Sequence, residues 1–152
     1  MSVRLLALLL MCLPLSVTAG DLRPMSPWIR EAPPTARVLA GFAMLHNESD
    51  RERRLVAVES DDFERVEMHR TLIENGMARM LPQASLVIPA QGMLRLAPGG
   101  LHLMLIGPRR ALAEGDRVIL TLRFADGESL PVTFEVRRGR GGGTDHSRHS
   151  HH

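Results

Sequence analysis

Apolar and polar residues alternate with period two along most of the chain, and no long stretch repeats with the 3.6-residue period of an amphipathic helix. The alternation is clearest from Arg117 to Phe124. Val118, Leu120, Leu122 and Phe124 fall on one face, and Arg117, Ile119, Thr121 and Arg123 on the other. A turn signal, Ala125-Asp126-Gly127-Glu128, follows, after which Leu130, Val132, Phe134 and Val136 alternate with Pro131, Thr133, Glu135 and Arg137. Two alternating runs around an Asp-Gly predict a β-hairpin. Pro131 has no N–H to donate, so the second strand should have a free edge or a bulge at that point. Further strands are predicted at Val38 to His46, Leu55 to Val58, Arg65 to Ile73, Met77 to Leu81, Ser85 to Ile88, Met93 to Leu96 and Leu101 to Ile106. Glu74-Asn75-Gly76 suits a tight turn, since Asn and Gly tolerate φ > 0. Pro89 to Gly92 and Ala97 to Gly100 are turn segments as well. Ala111 to Asp116 is expected to form one short helical turn. Short strands separated by frequent turns predict an all-β sandwich or barrel.

The two ends of the chain break this pattern. Met1 to Arg4 supply a short positive start, Leu5 to Leu15 an apolar run broken only by Cys12 and Pro14, and Val17-Thr18-Ala19 small residues for cleavage after Ala19 or Gly20. Residues 1–20 are therefore predicted to be an export signal, and the domain itself to span 21–138. The apolar run of about 11 residues is too short for a span that needs roughly 20, so no membrane anchor is expected. Leu9-Leu10-Met11 before Cys12 lacks the small residues of a lipoprotein site, and that reading is set aside. The protein should then be exported. Residues 139–152 open with Gly139-Arg140-Gly141-Gly142-Gly143 and close with His146, His149, His151 and His152, a polar, flexible, His-rich tail.

Composition removes several classes of function. Cys12 is the sole cysteine and leaves with the signal, which excludes a disulfide framework, a zinc–thiolate site, a cysteine nucleophile and a blue-copper centre. All nineteen basic residues are Arg; eighteen remain after the signal against seventeen acids, so the domain is close to neutral. No basic stripe of the kind that nucleic-acid binding needs is present.

One strand carries chemistry. Leu101, Leu103 and Leu105 share the face expected to enter the core, which leaves His102 and Met104 side by side on the other face, roughly 6–7 Å apart. Upstream, His69 precedes the Asn75-Gly76 turn and Met80 follows it, so the hairpin folds the two back towards each other. Two imidazoles and two thioethers can then converge. Thioether sulfur is soft and neutral and prefers Cu(I), whereas Zn(II) takes Cys, His and carboxylate, and Ca(II) and Mg(II) take oxygen. His69, Met80, His102 and Met104 are thus the candidate metal ligands. Met68 alternates out of phase with His69 and reads as core. Met44 and Met93 read as filler or surface, and His46 as a surface or hydrogen-bonding residue. Met77 is the weaker option of an auxiliary ligand.

The spacing His69, ten residues, Met80, twenty-one residues, His102, one residue, Met104 resembles the His-x10-Met-x21-His-x-Met signature of the PCu(A)C family of periplasmic copper chaperones. Val66-Glu67-Met68-His69, Asn75 to Met80 and Pro98 to Leu105 resemble that family's ligand-bearing stretches, and the likeness runs from about Pro27 to Arg138. It implies a cupredoxin-like Greek-key β-sandwich, no enzymatic activity, and a partly exposed Cu(I) site. It also implies delivery towards the CuA site of cytochrome c oxidase subunit II, beside a thioredoxin-like Sco protein. The tail's imidazoles would suit Cu(II), Ni(II) or Zn(II), and the tail either captures Cu(II) for the main site or is an inert terminus.

Three other readings compete. A periplasmic copper-buffering or resistance protein would bind the metal without a dedicated recipient; loss of oxidase activity in a deletion strain favours delivery, copper sensitivity alone favours buffering. An electron-transfer protein or oxidase is disfavoured by the missing thiol and the single mononuclear site. A metal-free structural sandwich would not need the methionines. Protons compete with copper for imidazole but not for thioether, so Cu(I) affinity is expected to fall between about pH 7.5 and about pH 5. Competitive titration at the two values checks this, and equal affinities contradict it.

Overall fold

The computed structural model describes residues 20–139; the expected signal and His-rich tail lie, but for Gly20 and Gly139, outside the described residues. The described chain is built of ten strands: β1 (Leu22–Arg30), β2 (Val38–Asn47), β3 (Arg53–Glu59), β4 (Phe63–Glu74), β5 (Met77–Pro82), β6 (Leu86–Ile88), β7 (Met93–Leu96), β8 (Leu101–Pro108), β9 (Arg117–Phe124) and β10 (Ser129–Arg137). They join in the order β5-β4-β8-β2-β1-β10-β9-β3-β6, with β7 on β2. Every pairing is antiparallel except β1 with β10.

The inward faces carry the residues that the alternation marks. Leu103 and Leu105 of β8, Leu39 and Leu45 of β2, Met68 of β4, Leu55 and Val58 of β3, Leu120 and Leu122 of β9, and Phe134 of β10 are all buried in one core. Strands from opposite ends of the order contribute to that core, so the sheet folds over itself into two facing layers. This is the cupredoxin-like sandwich expected from the sequence.

β9 and β10 form the expected hairpin, with Pro131 opposite Thr121. On its other side β10 meets β1 only from Glu135 to Arg137, so Pro131 does face a free edge. Two details differ from expectation. β1 is absent from the sequence reading because Pro24, Ser26 and Pro27 interrupt its alternation. The strand absorbs them with a shift of register between Met25 and Trp28, where Ser26 takes φ 48°. Residues 111–116 form no helical turn. Gly115 sits at φ 90°, outside the right-handed helical region, and a tight turn is closed instead by Asp116 N–H donating to the Ala113 carbonyl at 3.0 Å. Leu112 is buried and anchors the segment.

β4 and β5 make the hairpin that matters for the site. Asn75 and Gly76 both adopt positive φ, 51° and 76°, as a two-residue turn of this kind requires. The hairpin projects past the core, and β5 is exposed along its whole length.

Candidate metal centre

Strand register decides which side chains meet. In the β4–β8 pair His69 lies opposite His102 and Glu67 opposite Met104. In the β4–β5 pair Met80 lies opposite Thr71. Side chains directly opposite share a face, as do alternate residues along a strand. His69, Glu67 and Thr71 are alternate residues of β4, so Met80, His69, His102 and Met104 all project from one face of three neighbouring strands. On the far side of β8, Ala40 of β2 lies opposite Met104 and continues that face. Met77 is three residues from Met80 on β5 and so points to the other face, which removes it as an auxiliary ligand. Met68 is buried in the core, Met93 is exposed, and His46 stands 3.7 Å from Glu48 at the surface.

Met80, His102 and Met104 line a common cleft of about 200 Å³, walled by Val38 and Ala40 and edged by Arg30 and Glu31. Met80 is 55% exposed, whereas His102 is 6% exposed. His69 does not line the cleft; it is buried beside His102, with ring centroids 6.1 Å apart. A metal–imidazole nitrogen bond is about 2 Å long. Ring centroids at this separation lie within the reach of one shared ion.

The hydrogen bonds assign a tautomer to each ring. His102 Nδ1 lies 3.1 Å from the Gly100 carbonyl oxygen, which can only accept, so Nδ1 carries the proton and Nε2 the lone pair. The same carbonyl accepts from Thr71 N–H at 3.1 Å, tying β4 to the glycine turn ahead of β8. His69 Nε2 lies 2.8 Å from Glu67 Oε2, and the other carboxylate oxygen accepts from Arg65 Nε at 2.8 Å. The Arg65 hydrogen bond, then that of His69, holds the Glu67 carboxyl below its ordinary value of 4.5. An ionised carboxylate only accepts, so the His69 proton is on Nε2. The remaining nitrogen, His69 Nδ1, is buried and finds no hydrogen-bond partner among the described residues. A buried nitrogen without a partner costs about 1–3 kcal/mol, and a metal ion would satisfy it.

The donor chemistry fits a soft ion. Among the described residues no group of three or more His, Cys, Asp or Glu is placed to hold a metal, so a hard-donor site has no basis there. Two imidazoles with two thioethers form a neutral set suited to Cu(I). Sequence reasoning named the four candidate ligands but missed Glu67. The signal was available: Glu67 is two residues before His69 on an alternating strand, which puts both on one face.

Comparison with known proteins agrees with the architecture. A family model described as putative lipoprotein LpqE-like matches residues 24–136. The putative lipoprotein Lxx21020 of Leifsonia xyli subsp. xyli is 33% identical over 111 residues, 72% of this chain and 66% of that protein. The uncharacterized protein RP573 of Rickettsia prowazekii is 27% identical over 114 residues, 72% of this chain and 63% of the relative. The matched region is thus just under two thirds of either relative's length. Among solved structures, the copper-bound PCuAC domain from PmoF2 superposes with a TM-score of 0.67 at 22% identity, covering 79% of this chain and 95% of that one. Apo-DR1885 from Deinococcus radiodurans gives 0.63 at 28% identity, covering 92% and 97%. Its Cu(I) form gives 0.58 at 29%, covering 88% and 85%. The chain belongs to the LpqE-like family and has the β-sandwich fold of the PCuAC domains.

Proposed function

We propose that this protein is an exported copper carrier that binds one Cu(I) ion with His69, Met80, His102 and Met104 and passes it to a partner protein. The observation that carries the reading is the register of β5, β4 and β8, which brings two imidazoles and two thioethers to one face. Support comes also from the copper-bound PmoF2 domain and the Cu(I) form of DR1885, which share the fold.

The arrangement suits transfer rather than catalysis. His69 and His102 are buried and held by hydrogen bonds, so they form the fixed half of the site. Met80, on an exposed edge strand, is the accessible half. A recipient's ligand can approach from the Met80 side and replace one thioether at a time, so the ion is never released to water. The recipient expected from the family resemblance is the CuA site of cytochrome c oxidase subunit II, with a Sco-type protein beside it. Export rests on the leader over residues 1–20. A relative described as a putative lipoprotein fits export as well, although the residues before Cys12 do not suit lipid attachment.

Exchanging Met80 and Met104 for Leu removes the soft donors while nearly conserving volume. Each change is expected to alter stability by less than about 1.5 kcal/mol. The double variant should unfold like the parent in urea and fail to compete for Cu(I) against a chelator. Retention of parental Cu(I) affinity would rule out the thioether site.

A second reading concerns the His-rich tail. The backbone of Gly139 lies against the Arg30 side chain, and Arg30 edges the cleft beside Met80, His102 and Met104. Gly139, which opens the Gly- and His-rich stretch, thus lies near the rim of the proposed site, and this supports a tail whose four imidazoles gather Cu(II) for it. Removing residues after Arg140 is expected to lower Cu(II) stoichiometry and leave Cu(I) affinity intact. Unchanged Cu(II) stoichiometry would show that the tail plays no part in metal capture.

A further inference from the structure

The side of β4 that bears His69 also bears Glu67 and Arg65, at alternate positions. Their three side chains are joined in series, Arg65 Nε to Glu67 Oε1 and Glu67 Oε2 to His69 Nε2, each at 2.8 Å. The chain of contacts is asymmetric. Arg65 is largely exposed, Glu67 half-exposed and His69 buried. It therefore runs from solvent to a ring that is closed off from it. A surface ion pair alone would contribute little to stability. What Glu67 adds is a fixed acceptor at one specific nitrogen of a buried imidazole, and Arg65 restrains the carboxylate by occupying its other oxygen.

We infer that Glu67 is a positioning residue of the copper site, which it serves by holding the His69 proton on Nε2 so that the lone pair lies on Nδ1. The inference rests on the copper reading above. It makes the two histidines unlike: His69 would offer Nδ1 to the ion, and His102, whose Nδ1 faces the Gly100 carbonyl, would offer Nε2. The nitrogen so assigned on His69 is the one left buried and without a partner. Metal-binding imidazoles commonly donate their other N–H to a carboxylate or carbonyl, which orients the ring and raises its basicity. Here one ring uses each kind of acceptor. Glu67 also lies opposite Met104 in the β4–β8 register, so it flanks the donor set without belonging to it.

The test uses the full mature chain labelled with ¹⁵N, first without metal. Long-range ¹H–¹⁵N correlations read each tautomer directly. The wild-type protein is expected to show His69 protonated at Nε2 and His102 at Nδ1. Glu67→Ala should lose the single His69 tautomer and weaken Cu(I) binding about 10–100-fold against a chelator. Glu67→Gln keeps an oxygen able to accept the Nε2–H, and should restore the tautomer and most of the affinity. A purely structural ion pair would change unfolding without moving either readout. The inference is overturned if wild-type His69 carries its proton on Nδ1. It is overturned equally if Glu67→Ala keeps both the tautomer and an affinity within roughly twofold of wild type. Should Glu67→Ala fail to fold, the wild-type spectrum and Glu67→Gln still decide the matter. A wild-type protein that shows the expected tautomers yet binds no Cu(I) would instead overturn the copper reading.

Discussion

The pairing of β4 with β8 is the constraint on which the site depends. His69 lies opposite His102 because the two strands are in that register and no other. A slip of one residue would send His69 to the core side and bring Met68 out in its place. The register is held on the other face, where Met68, Leu103 and Leu105 are buried in the core. It is held at the strand end too, where the Gly100 carbonyl accepts from both Thr71 and His102. Apolar burial on one side of the sheet thus fixes donor geometry on the other.

The candidate donors divide by exposure. The imidazoles are buried and hydrogen-bonded to Gly100 and Glu67, whereas Met80 stands on an edge strand that is exposed throughout. A carrier would need that contrast: a buried pair to give the ion a place and an accessible, neutral thioether that a recipient's ligand can displace. Unlike a thiolate, a thioether adds no charge, so a bound Cu(I) keeps its single positive charge and stays soft-ligated. The cleft is apolar where Val38 and Ala40 wall it, and Glu31 brings a carboxylate to its edge.

Much of this was legible in the sequence because a half-buried strand must alternate. Val118 to Phe124 and Leu101 to Ile106 declared both their faces, and Asn75-Gly76 declared the turn that brings Met80 back beside His69. Pro131 marked a free stretch of edge. β1 was illegible because its prolines and Ser26 hide the alternation behind a bulge, and its place between β2 and β10 comes from long-range pairing that no local pattern encodes. Gly115 defeated the expected helical turn, since a left-handed residue ends such a turn before it begins. The facing of Met80 could not be read from the chain, because it depends on β4–β5 register. Glu67 was overlooked for a different reason. A charged residue on a strand reads as solvated, and only the distance to His69 shows what it accepts.

The number and kind of atoms around the metal distinguish a thioether site from any other. X-ray absorption at the copper edge of the Cu(I)-loaded protein counts them directly. The expected result is two sulfur and two nitrogen neighbours with no oxygen. A shell of nitrogen and oxygen alone, with no sulfur, would contradict it.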